Sequence, residues 1–286
     1  MKIEGRRIIV TGASSGIGKS LLEQLAGREA TVLGVARRGD LIRKNILSMN
    51  DRRAKMEALS CDLSRKENVD RLFEEVMRKW GGVDIFIANA GFPYYEKLER
   101  SDWTHIRSIF DLNTFSVFYS LEKMIEISGG RSFHFVITAS GMCTLAMPGY
   151  ALYSATKAAL ERFVEGYRLE MGHGARISMV YPIATRTGFF KAAGENVPIP
   201  WPIQDSDVVA KAIIRGVEKD RKRIYPSRLF RITSFLNRLS PVIGKAYQRH
   251  AAQKLRKWLA EKDRPGGEAE KAPYGKIGSG DSGSEP

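Results

Sequence analysis

The sequence predicts an α/β protein built on one parallel sheet with helices on both faces. Three observations carry this. Short apolar runs alternate with stretches of helical periodicity along most of the 286 residues. The first apolar run leads into a glycine-rich turn and then a helix, the context in which a backbone can cradle a phosphate. A later helix carries Tyr153 and Lys157 four residues apart, which puts both on one face.

Composition narrows the function classes. The chain is 43% hydrophobic, enough for a sizeable core. Its four histidines are scattered and its two cysteines, Cys61 and Cys143, have no metal-ligand spacing, so neither a metal site nor a disulfide framework is expected. Met1–Arg7 has no apolar run behind its basic start, and no stretch reaches the ~18 apolar residues of a spanning helix. The expectation is a cytoplasmic protein that can sit at a membrane surface. The formal charge is +14, yet Arg221–Lys262 holds twelve Lys or Arg against the single acid Glu261, leaving only about +3 elsewhere. The excess therefore belongs to a C-terminal segment. Aromatic residues are thinly interleaved with those charges, so a nucleic-acid partner is not expected.

Taken in order, Arg7–Val10 is the first strand and ends in Thr11-Gly12-Ala13-Ser14-Ser15-Gly16-Ile17-Gly18, with a helix over Lys19–Arg28. Glycines at 12, 16 and 18 let backbone approach a pyrophosphate, and the helix N-terminus adds free N–H groups. The second strand, Thr31–Ala36, runs into Arg37 and Arg38. An acid at that place would grip ribose hydroxyls, whereas guanidinium groups suit a 2′-phosphate, so NADP(H) is the expected cofactor. Met56–Cys61 is the third strand, followed by Asp62-Leu63 and a helix over Glu67–Trp80. Asp84–Ala88 is a buried strand delivering Asn89-Ala90-Gly91 at its C-terminal end, where open parallel sheets bind ligands. A long helix over Trp103–Ile127 contains Asn113, and the strand Ser132–Thr138 ends near Ser140. The helix of Tyr153 and Lys157 follows, then strand Arg176–Tyr181, helix Asp205–Lys219 and a short strand Arg223–Pro226.

Gly188–Trp201 interrupts the alternation with Phe189, Phe190, Val197, Ile199 and Trp201 beside prolines, and reads as a substrate cover. Within Ser227–Lys262, Leu229, Ile232, Leu236, Leu239 and Ile243 recur at helical steps among Arg228, Arg231, Arg238 and Lys245. Such a basic amphipathic helix either lies in a membrane interface or packs on the core or a second subunit. The expected organisation is a catalytic domain over residues 1–227, a helical extension over 228–262, and a disordered tail over 263–286, where Gly, Ser, Glu, Lys and Pro dominate.

Tyr153 and Lys157 form a proton-handling pair. A free phenol ionises near pH ~10, and a neighbouring ammonium is expected to lower that value.

Together, Thr11-Gly12-x-x-x-Gly16-x-Gly18, Asn89-Ala90-Gly91, Asn113, Ser140 and Tyr153-x-x-x-Lys157 closely resemble the short-chain dehydrogenase/reductase superfamily in its compact form. The resemblance spans about Met1–Ser227. It implies a Rossmann fold with strand order 3-2-1-4-5-6-7, a nicotinamide cofactor, and hydride exchange between a ketone and a secondary alcohol. Carried over by motif, Tyr153 is the acid–base residue and Ser140 holds the substrate oxygen. Lys157 binds the nicotinamide ribose and tunes Tyr153, while Asn113 helps hold a relay water. The cofactor is implied to contact Gly12, Ser14, Ser15, Gly16, Ile17, Gly18, Arg37, Arg38, Asp62, Leu63, Asn89, Ala90 and Gly91, besides Tyr153, Lys157, Pro182, Thr185 and Thr187. One departure is Ile183, where the family usually has glycine after proline; a β-branched residue does not readily take φ > 0, so that turn is expected to be shaped differently. The apolar cover and basic segment point to a hydrophobic substrate, lipid-, steroid- or sphingoid-like, and a homo-oligomer is expected. The competing expectation is a non-catalytic NADP(H)-binding scaffold.

Overall fold

A computed structural model describes residues 1–98, 102–172 and 174–262. Its centre is a sheet of seven parallel strands. In chain order these are β1 (Arg7–Thr11), β2 (Thr31–Ala36), β3 (Lys55–Ser60), β4 (Ile85–Ala88), β5 (Phe133–Thr138), β6 (Ala175–Val180) and, after two short strands, β9 (Arg223–Ile224). Their spatial order is β3-β2-β1-β4-β5-β6-β9, the Rossmann arrangement in which the reversal of direction falls between β1 and β4.

Alternate strand residues feed two separate cores, as the two-residue period of a strand requires. On one face Ile8, Val10, Ile85 and Val136 pack with α1 (Gly16–Ala26), α2 (Gly39–Leu47) and α8 (Ser206–Glu218). On the other Ile9, Phe86, Phe135 and Ile177 meet α3 (Lys66–Trp80), α5 (Ser116–Ser128) and α6 (Ala151–Glu170). Phe73, Phe86 and Phe135 stack through this second core with ring centres 5.7 and 5.1 Å apart. Both faces are covered, which is why the central strands read as continuous apolar runs and not as alternating ones.

The helix expected over Trp103–Ile127 is continuous but not uniform. It divides into α4 (Trp103–Phe110), one π-helical turn over Asp111–Phe115, and α5. α2 was not anticipated: it is only nine residues long and buries only Gly39, Ile42 and Ile46. The cover contains α7 (Phe189–Ala193) and is flanked by the paired strands β7 (Ala184–Arg186) and β8 (Ile203–Asp205), all too short for periodicity to reveal. The C-terminal extension is two helices, α9 (Arg228–Leu239) and α10 (Val242–Lys262), separated at Ser240-Pro241, since proline cannot continue a preceding helix. The tail over 263–286 lies outside the described residues. Among the described residues, no helix is long and apolar enough to cross a membrane.

Candidate active site

Every motif lies at the C-terminal ends of the parallel strands. After β1, Gly12 and Gly16 take φ of 66° and 53°, values that favour glycine. A Cβ on Gly12 would stand 2.9 Å from Ala90 Cα, and one on Gly18 only 2.2 Å from the Gly12 carbonyl oxygen. The turn is thus closed on itself and against the end of β4. Thr11 Oγ1 accepts from the backbone N–H groups of Asn89 and Ala90, both at 2.9 Å, and Asn89 Nδ2 donates to the Thr11 carbonyl at 3.0 Å. Asn89 therefore ties β4 to β1. No side chain caps α1 at Ser15, which leaves the first N–H groups of that helix without a capping partner from Ser15. Arg37 and Arg38 are exposed after β2. Asp62 Oδ1 accepts from Ser64 N–H and Oγ–H, holding its own turn after β3 beside buried Leu63.

The π turn presents Asn113, which is wholly buried. Its Oδ1 accepts from Phe92 N–H at 3.0 Å, and its Nδ2 donates to the Phe92 carbonyl at 2.9 Å and to Thr156 Oγ1 at 3.3 Å. Asn113 thereby fixes the chain after Gly91. A Cβ on Gly91 would lie 3.0 Å from Asn113 Oδ1 and 3.5 Å from Lys157 Nζ, so only glycine leaves that corner open. Lys157 Nζ donates to the Thr138 carbonyl at 3.0 Å and stands 5.7 Å from the centre of the Tyr153 ring. Ser140 Oγ accepts from Met142 N–H at 3.0 Å, which leaves its own proton for the Tyr153 oxygen.

Burial governs the charges here. It pushes the Tyr153 phenol above its ordinary value, with the Ser140 hydrogen bond offsetting part of the rise. Burial also lowers Lys157 from 10.5 to about 8. Burial is the largest influence on Tyr153 in this arrangement, and the lowering expected from Lys157 does not overcome it.

A cleft of about 100 Å³ joins Ile17, Asn89, Gly91, Ser140, Tyr153 and Lys157 with Pro182, Thr185 and Thr187. Asn113 stands behind it. Ile183 is not among the residues of positive φ, so the turn after β6 forms without the left-handed residue that glycine would permit. Thr187 instead packs against Gly16, whose added Cβ would meet Thr187 Cγ2 at 2.9 Å. Beside this cleft, and sharing Ser140 and Ile183 with it, lies an apolar cavity of about 300 Å³. Met142, Trp201, Leu229, Phe230 and Tyr247 line it. The cover also reaches the site, with the Phe189 ring edge-on to Tyr153 at 5.2 Å between centres.

Met142, Phe230 and Tyr247 were not anticipated as site residues. Phe230 and Tyr247 arrive from the C-terminal helices, where Tyr247 Oη donates to the Trp201 carbonyl at 2.7 Å. Trp258, buried on α10, donates its Nε1–H to the Glu195 carbonyl at 3.2 Å and meets Tyr95 edge-on. The one sequence sign was the apolar spacing of that helix.

A family model described as short chain dehydrogenase matches residues 6–198. The chain is 29% identical, over 88% of its length and 98% of the relative's, to an uncharacterized oxidoreductase of Myxococcus xanthus. It is 28% identical, over 78% of its length and 67% of the relative's, to an 11-beta-hydroxysteroid dehydrogenase of Pinus massoniana. Among solved structures, a short chain dehydrogenase from Burkholderia cenocepacia in complex with NADP superposes with a TM-score of 0.71 at 25% identity, covering 86% of this chain and 98% of that one. The match over most of the chain and the sheet order agree, and this protein is a member of the short-chain dehydrogenase/reductase family of oxidoreductases.

Proposed function

We propose that the protein is an NADP(H)-dependent oxidoreductase that interconverts a hydrophobic ketone and its secondary alcohol. The observation that carries this reading is the meeting of Ser140, Tyr153 and Lys157 in a cleft that shares Ser140 with an adjoining apolar cavity of about 300 Å³. The residues fit the cofactor: a turn that only glycine can make opens on the N-terminus of α1, and Arg37 and Arg38 stand where a 2′-phosphate would arrive. Asp62, Leu63, Ala90, Pro182, Thr185 and Thr187 complete the proposed cofactor groove. When bound, nicotinamide supplies or accepts the hydride. The relatives named above, one a hydroxysteroid dehydrogenase and one solved with NADP, support both the substrate class and the cofactor.

The chain's own groups handle the proton. Ser140 donates a hydrogen bond to the substrate oxygen. Tyr153, whose raised pKa keeps it protonated near neutrality, gives its proton to the developing alkoxide. The Lys157 ammonium stabilises the phenolate then formed and takes hold of the ribose hydroxyls. Asn113 keeps the Gly91 backbone clear of the lysine. Residues 1–227 form the catalytic domain in this reading, and 228–262 close the substrate side.

The outer face of that extension supports a membrane surface as the place where substrate is met. Ile232, Phe235 and Leu239 are 58%, 62% and 72% exposed on α9, among Arg228, Arg231 and Arg238. Replacing Tyr153 by phenylalanine tests the catalytic roles. Turnover is expected to fall roughly a hundred- to ten-thousandfold while NADPH affinity is kept. A variant with near-normal turnover contradicts the assignment.

A further inference from the structure

Behind the substrate cavity lies a second one of nearly equal size, about 310 Å³. The two share Met147, Pro200, Trp201 and Tyr247, so they stand back to back across the Pro200-Trp201 segment. The hydrogen bond from Tyr247 to the Trp201 carbonyl fixes that shared segment over both cavities. The far chamber contains none of the groups assigned to proton or hydride chemistry.

Its lining is divided by polarity. Tyr95, Met147, Pro148, Pro198 and Ile199 make an apolar interior. His250 and Lys254 stand one helical turn apart on α10 at the exposed edge, and neither makes an ion pair among the described residues. Among the described residues, no acidic one lines the chamber. Tyr150, also in its wall and 1% exposed, has a buried hydroxyl with no partner among the described residues. A buried hydroxyl without a partner is costly, and a ligand oxygen could relieve it.

We propose that this chamber is a distal subsite for the anionic end of an elongated amphiphile, whose carbonyl lies at Ser140 and Tyr153 and whose chain passes beneath Trp201. The assignment rests on the function proposed above. The apolar interior takes the chain, and Lys254 with the His250 ring takes a carboxylate or a phosphate at the edge. The first cavity alone is at the small end for a ligand pocket, whereas both together suit a long substrate.

Two variants leave the catalytic groups untouched. Ala251 lines the far chamber only, so Ala251→Trp fills it, while Lys254→Glu reverses the edge charge without altering the interior. Calorimetry with the full-length protein compares dodecanoate, dodecyl phosphate and dodecanol, all below micelle formation. Wild type is expected to bind one or both anions about tenfold or more tighter than the alcohol, a difference of ~1.4 kcal/mol, and the stronger anion identifies the head group. Lys254→Glu is expected to abolish that preference, and Ala251→Trp to lose binding of all three. Both should reduce short ketones as wild type does. Equal binding of the three amphiphiles, or an unchanged preference in Lys254→Glu, overturns the subsite. If no ketone is reduced but anion binding still depends on Lys254, the catalytic reading fails and the subsite stands.

Discussion

The two walls of the cleft around Tyr153 are held by different means. On the cofactor side, backbone geometry decides: Gly12 and Gly18 leave no room for a Cβ, and Thr11, Asn89 and Asn113 spend their side chains fastening main chain to main chain. On the substrate side, side chains decide: Met142 and Trp201, with Leu229 and Phe230 of α9, enclose space by bulk, and Tyr247 and Trp258 of α10 bond to the cover at Trp201 and Glu195. The first kind of wall tolerates few alternatives. The second can be rebuilt with other apolar residues, so it suits a surface that sets substrate choice.

The largest effect expected on the cofactor wall comes from Lys157. Lys157→Met should cut turnover by about a thousandfold, since in the proposed reaction it removes the ammonium from both proton handling and ribose binding. It should also stabilise the fold at neutral pH. The folded-state pKa of about 8 lies below the ordinary 10.5, so wild type carries the full cost of burying the charge below pH 8. That cost is relieved as pH rises from about 8 to 10.5, where the unfolded chain binds the extra proton. Chemical denaturation across this window should therefore show the stability advantage of Lys157→Met over wild type shrinking as pH rises, the other buried groups being common to both. A variant less stable than wild type at pH 7 breaks the claim that burial dominates this site.

A smaller change is expected at Arg37 and Arg38. Replacing both by alanine should weaken NADPH binding by about tenfold or more and leave NADH little changed, because only the former carries a phosphate for a guanidinium to grip. Equal losses for the two, measured by fluorescence titration, would separate the arginines from cofactor choice.

The smallest effect belongs to the outer face of the substrate wall. Full-length protein should sediment with anionic vesicles at low salt and release at high salt, each well-placed basic residue adding roughly 1 kcal/mol. Phe235→Ser with Leu239→Ser should weaken this without altering NADPH binding. No sedimentation, together with a dimer that the same changes dissociate, would mean that a second copy covers α9.

The difference between the walls also explains what could be read from sequence. Gly12, Gly16 and Gly18 were legible because close approach demands glycine there, Tyr153 and Lys157 because four-residue spacing puts both on one helix face, and Asn113 and Ser140 only through the family resemblance. The central strands were legible because burial on both faces leaves continuous apolar runs. Phe230 and Tyr247 were not, since any large apolar or aromatic residue could fill their places and nothing local marks which cavity they meet. The π turn at Asp111–Phe115 was hidden for another reason: its residues have ordinary helical periodicity, and only the bonds of Asn113 to Phe92 and Thr156 reveal its purpose. The pKa of Tyr153 likewise depends on burial in three dimensions, which spacing along one helix does not report.

Both walls must act together for the protein to be a catalyst and not only a nucleotide-binding scaffold. The direct test mixes full-length protein with NADPH and a graded series of ketones, following cofactor oxidation and alcohol formation together. The account predicts stoichiometric conversion, faster with apolar ketones of increasing length and with NADPH preferred to NADH. Tight NADPH binding with no ketone reduced at any length would contradict it.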